Sequence, residues 1–122
     1  LRTNTKVSWP LLYEPPMMLR PILHIALHIV VPALIARTAF SHRWKWAWLI
    51  MVLTIVVDLD HLLADPVYDP RRCGVGFHPL HSYPAIAAYL TMTAIPKARL
   101  VALGLVIHMV LDSADCIWLN FE

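Results

Sequence analysis

An all-α fold, a four-helix antiparallel transmembrane bundle, is what this sequence predicts, and three observations carry the prediction. Apolar residues make up 59% of the 122, above the roughly 45–50% of soluble domains. A chain this short has too little interior to hide them, since a domain of about 150 residues buries only about 70% of its unfolded area. Four apolar runs, 21–36, 46–64, 82–95 and 100–119, are separated by charged and proline-rich breaks. Finally, lipid admits only helices or closed barrels, because unpaired backbone groups are too costly in hydrocarbon.

Residues 1–16, "LRTNTKVSWPLLYEPP", read as an extended N-terminal tail ahead of a membrane domain at 17–122. The tail lacks the apolar core and small-residue cleavage site of a signal peptide. Pro10, Pro15 and Pro16 argue against a helix before Met17, since proline removes a helical hydrogen bond. Trp9 and Tyr13 suit a membrane interface. The third run, "SYPAIAAYLTMTAI", is shorter than the roughly 20 residues a span needs. It calls for flanking residues, local thinning of the bilayer, or a site that starts below the surface. Pro32 and Pro84 each mark a kink or a helix end. The links "RTAFSHRWKW" and "PKAR" are short, which implies antiparallel neighbours.

The net charge of +2 is spread along the chain, which excludes a nucleic-acid footprint. Cys73 and Cys116 lack any CxxC spacing, which excludes a zinc ribbon or dithiol redox motif. A disulfide between them is allowed, but nothing in the sequence supports it.

An up-down bundle brings the start of helix one, the end of two, the start of three and the end of four to one membrane face. Nearly all the unusual residues fall there: His24 and His28; Asp58, Asp60 and His61; His78 and His81; His108, Asp112 and Asp115. Many are three or four apart, so they share a helix face. An Asp at a helix centre costs about 2.5–3.5 kcal/mol on insertion scales, so such residues need partners. The helices carry no matching Lys or Arg. A divalent metal would neutralise the carboxylates and take neutral imidazoles as ligands; the donor set suits zinc, manganese or iron.

Blander readings stand beside this one. His24 alone would be an interior hydrogen-bonded histidine, and its partner His28 reverses that. Asp58 is open between capping the cluster and binding metal, and Asp115 between the site and interfacial water. His42 is a loop residue, Asp65 and Asp69 are turn residues, and Trp44, Trp46 and Trp48 form an aromatic belt.

Read in order, "HIALH", "VVDLDH", "GFHPLHS" and "GLVIHMVLDSAD" resemble the YdjM-like family of predicted membrane-bound metal-dependent hydrolases. The likeness covers residues 21–119. It aligns the family's early His with His24 or His28, its Asp-x-Asp-His with Asp58, Asp60 and His61, its His-Ser segment with His78, His81 and Ser82, and its late His-x-x-x-Asp with His108 and Asp112. The third segment departs from the usual pattern: its histidines stand closer together, with no Arg between them.

The expectation is therefore a hydrolase of an ester or phosphoester reaching a metal site from the lipid interface. His28, Asp60, His81, His108 and Asp112 are the first metal ligands expected, with His24, His61 and His78 next. Asp58 or Asp115 would be the general base. Residues 66–79, with Arg71 and Arg72, read as a lid or as a headgroup anchor. Partners would be the bilayer, a lipid-like substrate and other membrane subunits, with no nucleic acid. The rival is a non-catalytic accessory subunit using its histidines for structural metal, haem or pigment; an ion or proton transporter is third. Arg37, Arg43, Lys45, Lys97 and Arg99 lie opposite the cluster, so the positive-inside rule puts the cluster on the outer face, in a bacterial inner membrane.

Overall fold

The computed structural model describes residues 19–121; the tail at 1–16, with Trp9 and Tyr13, lies outside the described residues. These form α1 (Leu19–Ala39), α2 (Trp44–Leu53), α3 (Tyr83–Met92) and α4 (Arg99–Leu119), with 3-10 segments at Ser41–Arg43, Thr54–Leu63 and Pro79–His81, and no strand. Three stretches, Leu19–Ala39, Ser41–Leu63 and Arg99–Leu119, are long and apolar enough to cross a membrane. Twenty-one helical residues, the length of α1 and of α4, reach about 32 Å, the thickness of a bilayer core. Large apolar side chains such as Ile22, Leu34, Val56 and Val110 point outward, as expected where lipid is the solvent.

α4 packs against all three other helices, and α1 against α2. One end of the bundle closes on Ala36, Ala47 and Met51, with Trp44, Trp48, Leu103 and Ile107 around them. Small residues let these helices approach closely. A Cβ on Gly104 would stand 2.8 Å from the Met51 Cα and 2.7 Å from the Thr54 methyl. Pro32 is buried inside α1 rather than at its end. Its ring supplies no N–H to the carbonyl of His28, one turn earlier. The Trp48 indole donates to the neighbouring Ile29 carbonyl at 3.0 Å, so of the expected aromatic belt Trp46 stays exposed while Trp44 and Trp48 serve the core.

Two elements differ from the sequence expectation. The second run is not one α-helix: it tightens at Thr54 into ten residues of 3-10 helix. The cause is local, because Thr54, Ile55, Val56 and Val57 are consecutive β-branched residues, which fit an α-helix less well. The tighter coil has three residues per turn, so Thr54, Val57 and Asp60 share its buried face. The third run forms only ten α-helical residues, Tyr83–Met92, about 15 Å, half a bilayer core. Ahead of it the chain folds into a short turn that buries His78 and His81. The Gly76 N–H donates to the His81 carbonyl at 2.9 Å. Gly76 does so at φ 82°, a conformation that suits glycine, with the Tyr83 ring 3.3 Å from where a Cβ would be.

Candidate metal centre

Each part of the polar cluster is delivered by a different element. His28 is the tenth of the 21 residues of α1 and His108 the tenth of the 21 of α4, so both lie near the middle of their spans. Asp112 follows His108 by one turn. The 3-10 segment brings Asp58 and Asp60, and the short turn Pro79–His81 brings His81, which has no exposed surface.

Four ligand atoms converge. The His81 Nε2 lies 3.2 Å from the Asp58 Oδ1 and 3.1 Å from the Asp112 Oδ2; the His108 Nε2 lies 3.0 and 3.4 Å from the same two oxygens. The two imidazole Nε2 atoms are 3.3 Å apart. Asp58, His81, His108 and Asp112 thus offer one ligand atom each, all within 4.8 Å of one another. A second group uses the other oxygen of Asp112: the Nε2 atoms of His24 and His28 are each 3.3 Å from its Oδ1. Asp60, His61 and His78 form a third group, with the His61 and His78 rings stacked at 3.9 Å between centroids.

The remaining ring nitrogens decide what these atoms are. The His81 Nδ1 is 3.0 Å from the Asp60 Oδ2, which also accepts the Leu80 N–H at 2.7 Å. That partner fixes the proton on Nδ1 of a neutral His81 and leaves the Nε2 lone pair facing Asp58, Asp112 and His108. A carboxylate behind a histidine that turns its other nitrogen inward is the usual support of a metal ligand. The His28 Nδ1 is 2.9 Å from the His24 carbonyl; carbonyls only accept, so its Nε2 is likewise a lone pair. This buried Nε2 has no hydrogen-bond partner. Lone pairs and carboxylate oxygens aimed at one another are a set of acceptors that a cation would satisfy, so the residues present fit a divalent metal.

Without a cation, a proton takes that role at His81. Burial pushes its pKa down, but hydrogen bonds to Asp112, Asp58 and Asp60 outweigh burial and raise it to about 10. His78 goes the other way, lowered by burial and by the neighbouring His61.

All ten predicted residues lie in or beside the cluster, in different positions. Asp58 faces the converging imidazoles directly. Asp60 spans His81 and His61, its Oδ1 3.1 Å from the His61 Nδ1. Asp115, one of the two expected bases, has both oxygens engaged by Arg20, at 2.9 and 2.7 Å. The sequence reading gives Arg20 no role at the site, although Arg20, His24 and His28 recur at one-turn spacing and so share a face with the cluster. The disulfide that the sequence allows between Cys73 and Cys116, without supporting it, is formed and joins the loop to the last turns of α4. Of the loop arginines, Arg72 is engaged within the loop: it donates to the Pro66 carbonyl at 2.8 Å and lies 4.8 Å over the Phe77 ring.

A family model described as a family of unknown function, DUF6122, matches residues 18–119. No curated protein and no solved structure matches the chain.

Proposed function

We propose that this chain, which belongs to the DUF6122 family of unknown function, is a membrane-embedded metal-dependent hydrolase acting on a lipid-like ester or phosphoester. The observation that carries the reading is the convergence of Asp58, His81, His108 and Asp112 on one point. The motif likeness to the YdjM-like hydrolases supports it. Zinc suits the His/Asp donor set, with manganese and iron as alternatives. A bound divalent cation would supply Lewis acidity to the scissile group and make water acidic enough to ionise near neutral pH.

The chain's own residues supply orientation and access. Asp60 holds His81 by its Nδ1 and so aims the Nε2 into the cluster. The cluster opens where the Asp58 side chain is 39% exposed and that of His61 35%. Leu59, Leu62, Leu63 and Leu80, close in sequence to Asp58, His61 and His81, are exposed, which favours a substrate with an apolar tail arriving from lipid. His61, with its Nδ1 on Asp60, stands at that rim as the group to take up a proton.

The outer-face orientation gains support from the disulfide. Cys73 and Cys116 both sit at the cluster end of the bundle, and disulfides persist in oxidising compartments. Freshly quenched cells should yield the pair oxidised; free thiols at both positions would put this end in the cytosol.

The test of function uses the full chain in detergent or nanodiscs, loaded with zinc or manganese, against long-chain esters and phosphoesters. Turnover should require the metal and vanish in His108→Ala. Tight metal binding with no turnover above that variant's background would overturn the hydrolase reading and leave an accessory metal-binding subunit.

A further inference from the structure

Asp112 is placed unlike any other carboxylate of the cluster, because its two oxygens face different pairs of histidines. The Oδ2 meets the Nε2 atoms of His81 and His108 at 3.1 and 3.4 Å; the Oδ1 meets those of His24 and His28, both at 3.3 Å. Were Asp112 only the acceptor of protonated histidines, each of these nitrogens would need a hydrogen. His28 cannot provide one as a neutral ring, since its Nδ1 proton is spent on the His24 carbonyl at 2.9 Å. Its Nε2 is fully buried and without a hydrogen-bond partner, in a residue only 6% exposed. A buried acceptor facing another acceptor points to a cation between them.

We propose that the centre is dinuclear, with Asp112 bridging a first divalent cation held by Asp58, His81 and His108 and a second held by His24 and His28. The inference rests on the metal reading of the first group and adds a second site to it. Both sites draw on the same element, α4, through one carboxylate, which is the arrangement by which paired cations are kept close enough to act on one substrate. The second site has three protein ligands, so it has room for an exogenous one, and it is approached past His24, whose side chain is 30% exposed. A centre with two cations suits a phosphoester better than a carboxylic ester, because two cations clamp both the attacking and the leaving oxygen.

The test is metal counting on the full-length protein in nanodiscs, with manganese as the probe, by elemental analysis and electron paramagnetic resonance on the same samples. Wild type should hold about two ions per chain and give the exchange-coupled spectrum of a carboxylate-bridged pair. His28→Gln and His24→Gln should each fall to about one ion and an isolated-ion spectrum, while Asp112→Ala loses both. Two conservative variants at the second site guard against misfolding of either, and circular dichroism checks each preparation. One ion in wild type that survives both His variants would overturn the dinuclear proposal and leave a single-metal hydrolase intact. One ion lost in the His variants would overturn it too, placing the metal on the His24 side. No ion in wild type would remove both the proposal and the metal reading beneath it.

Discussion

The two ends of this bundle use α1 and α4 to opposite effect. At one end α1, α2 and α4 close on Ala36, Ala47 and Met51, apolar side chains that need only packing. At the other, α1 and α4, the 3-10 segment that follows α2 and the Pro79–His81 turn converge on His28, His81, His108, Asp60 and Asp112, all buried. Lipid is as apolar as leucine, so in neither end does water drive helices together; van der Waals fit and polar pairing do that. The difference teaches which contacts are self-sufficient. The apolar end needs nothing beyond its own side chains, whereas the polar end gathers acceptors that a cation or a proton would satisfy.

The largest effects should separate the ends by their response to metal. Met51→Ala removes a side chain that is 2% exposed, and such truncations cost about 2–5 kcal/mol. That loss should be the same with zinc or with chelator. Metal at about a thousand times its dissociation constant adds roughly 4 kcal/mol to a protein that binds it only when folded. That increment should appear in wild type and in Met51→Ala and be smaller in His108→Ala. Thermal unfolding in detergent measures both. Loss of the metal increment in Met51→Ala would show that the ends are one cooperative unit.

A smaller effect probes the seam between them. Gly104 lies one turn before His108, with the Met51 Cα 2.8 Å from its would-be Cβ. Gly104→Ala must push α2 and α4 apart, and overpacking of this kind costs about 1–3 kcal/mol. Because the 3-10 segment hangs from that crossing, the shift should also weaken metal binding through Asp58. Unchanged metal affinity beside lowered stability would mean that the polar end is positioned by its own contacts.

Much of this was legible in the sequence, for a physical reason. Charged groups in apolar runs are expensive, so those that persist mark a site, and one-turn spacing such as His108 and Asp112 survives any detail of packing. The 3-10 segment was less legible. Its sign, the β-branched run from Thr54 to Val57 ahead of a three-residue repeat, competes with an apolar pattern that a helix of either pitch would satisfy. The division of labour between Asp58 and Asp60 depends on that pitch, and so was open until the coil was known. The disulfide and the Arg20–Asp115 pair join residues 43 and 95 positions apart, and no local pattern announces such contacts.

The pH response sets the two ends apart again. A proton on metal-free His81 is held up to about pH 10, above the ordinary histidine value. Its contribution to stability is therefore fully present below about pH 6.5 and is lost as pH rises through the raised value. Metal needs that proton gone, so metal affinity should move the opposite way, rising by up to about tenfold per pH unit for one displaced proton. Isothermal titrations between about pH 7 and pH 9 measure the slope. Met51→Ala should leave it unchanged. A flat profile would mean that His81 carries no proton for the metal to displace.

The smallest expected effect fixes where the polar end stops. Arg20 and Asp115 form a two-point ion pair whose side chains are 20% and 23% exposed, and pairs open to water contribute about 0.2–1 kcal/mol. Arg20 also donates to the Pro70 carbonyl at 3.2 Å, so it ties α1 both to α4 and to the loop that the disulfide secures. Arg20→Gln should cost no more than that range and leave the metal count untouched, because the Asp115 carboxylate is committed to the arginine rather than to the centre. An increase in metal bound by Arg20→Gln would show that Asp115 is a ligand held off by its arginine. Asp115 lies one turn beyond Asp112 and 3.9 Å from the His24 Nδ1, so the ion pair is then the boundary between a centre that binds cations and a rim that has its own.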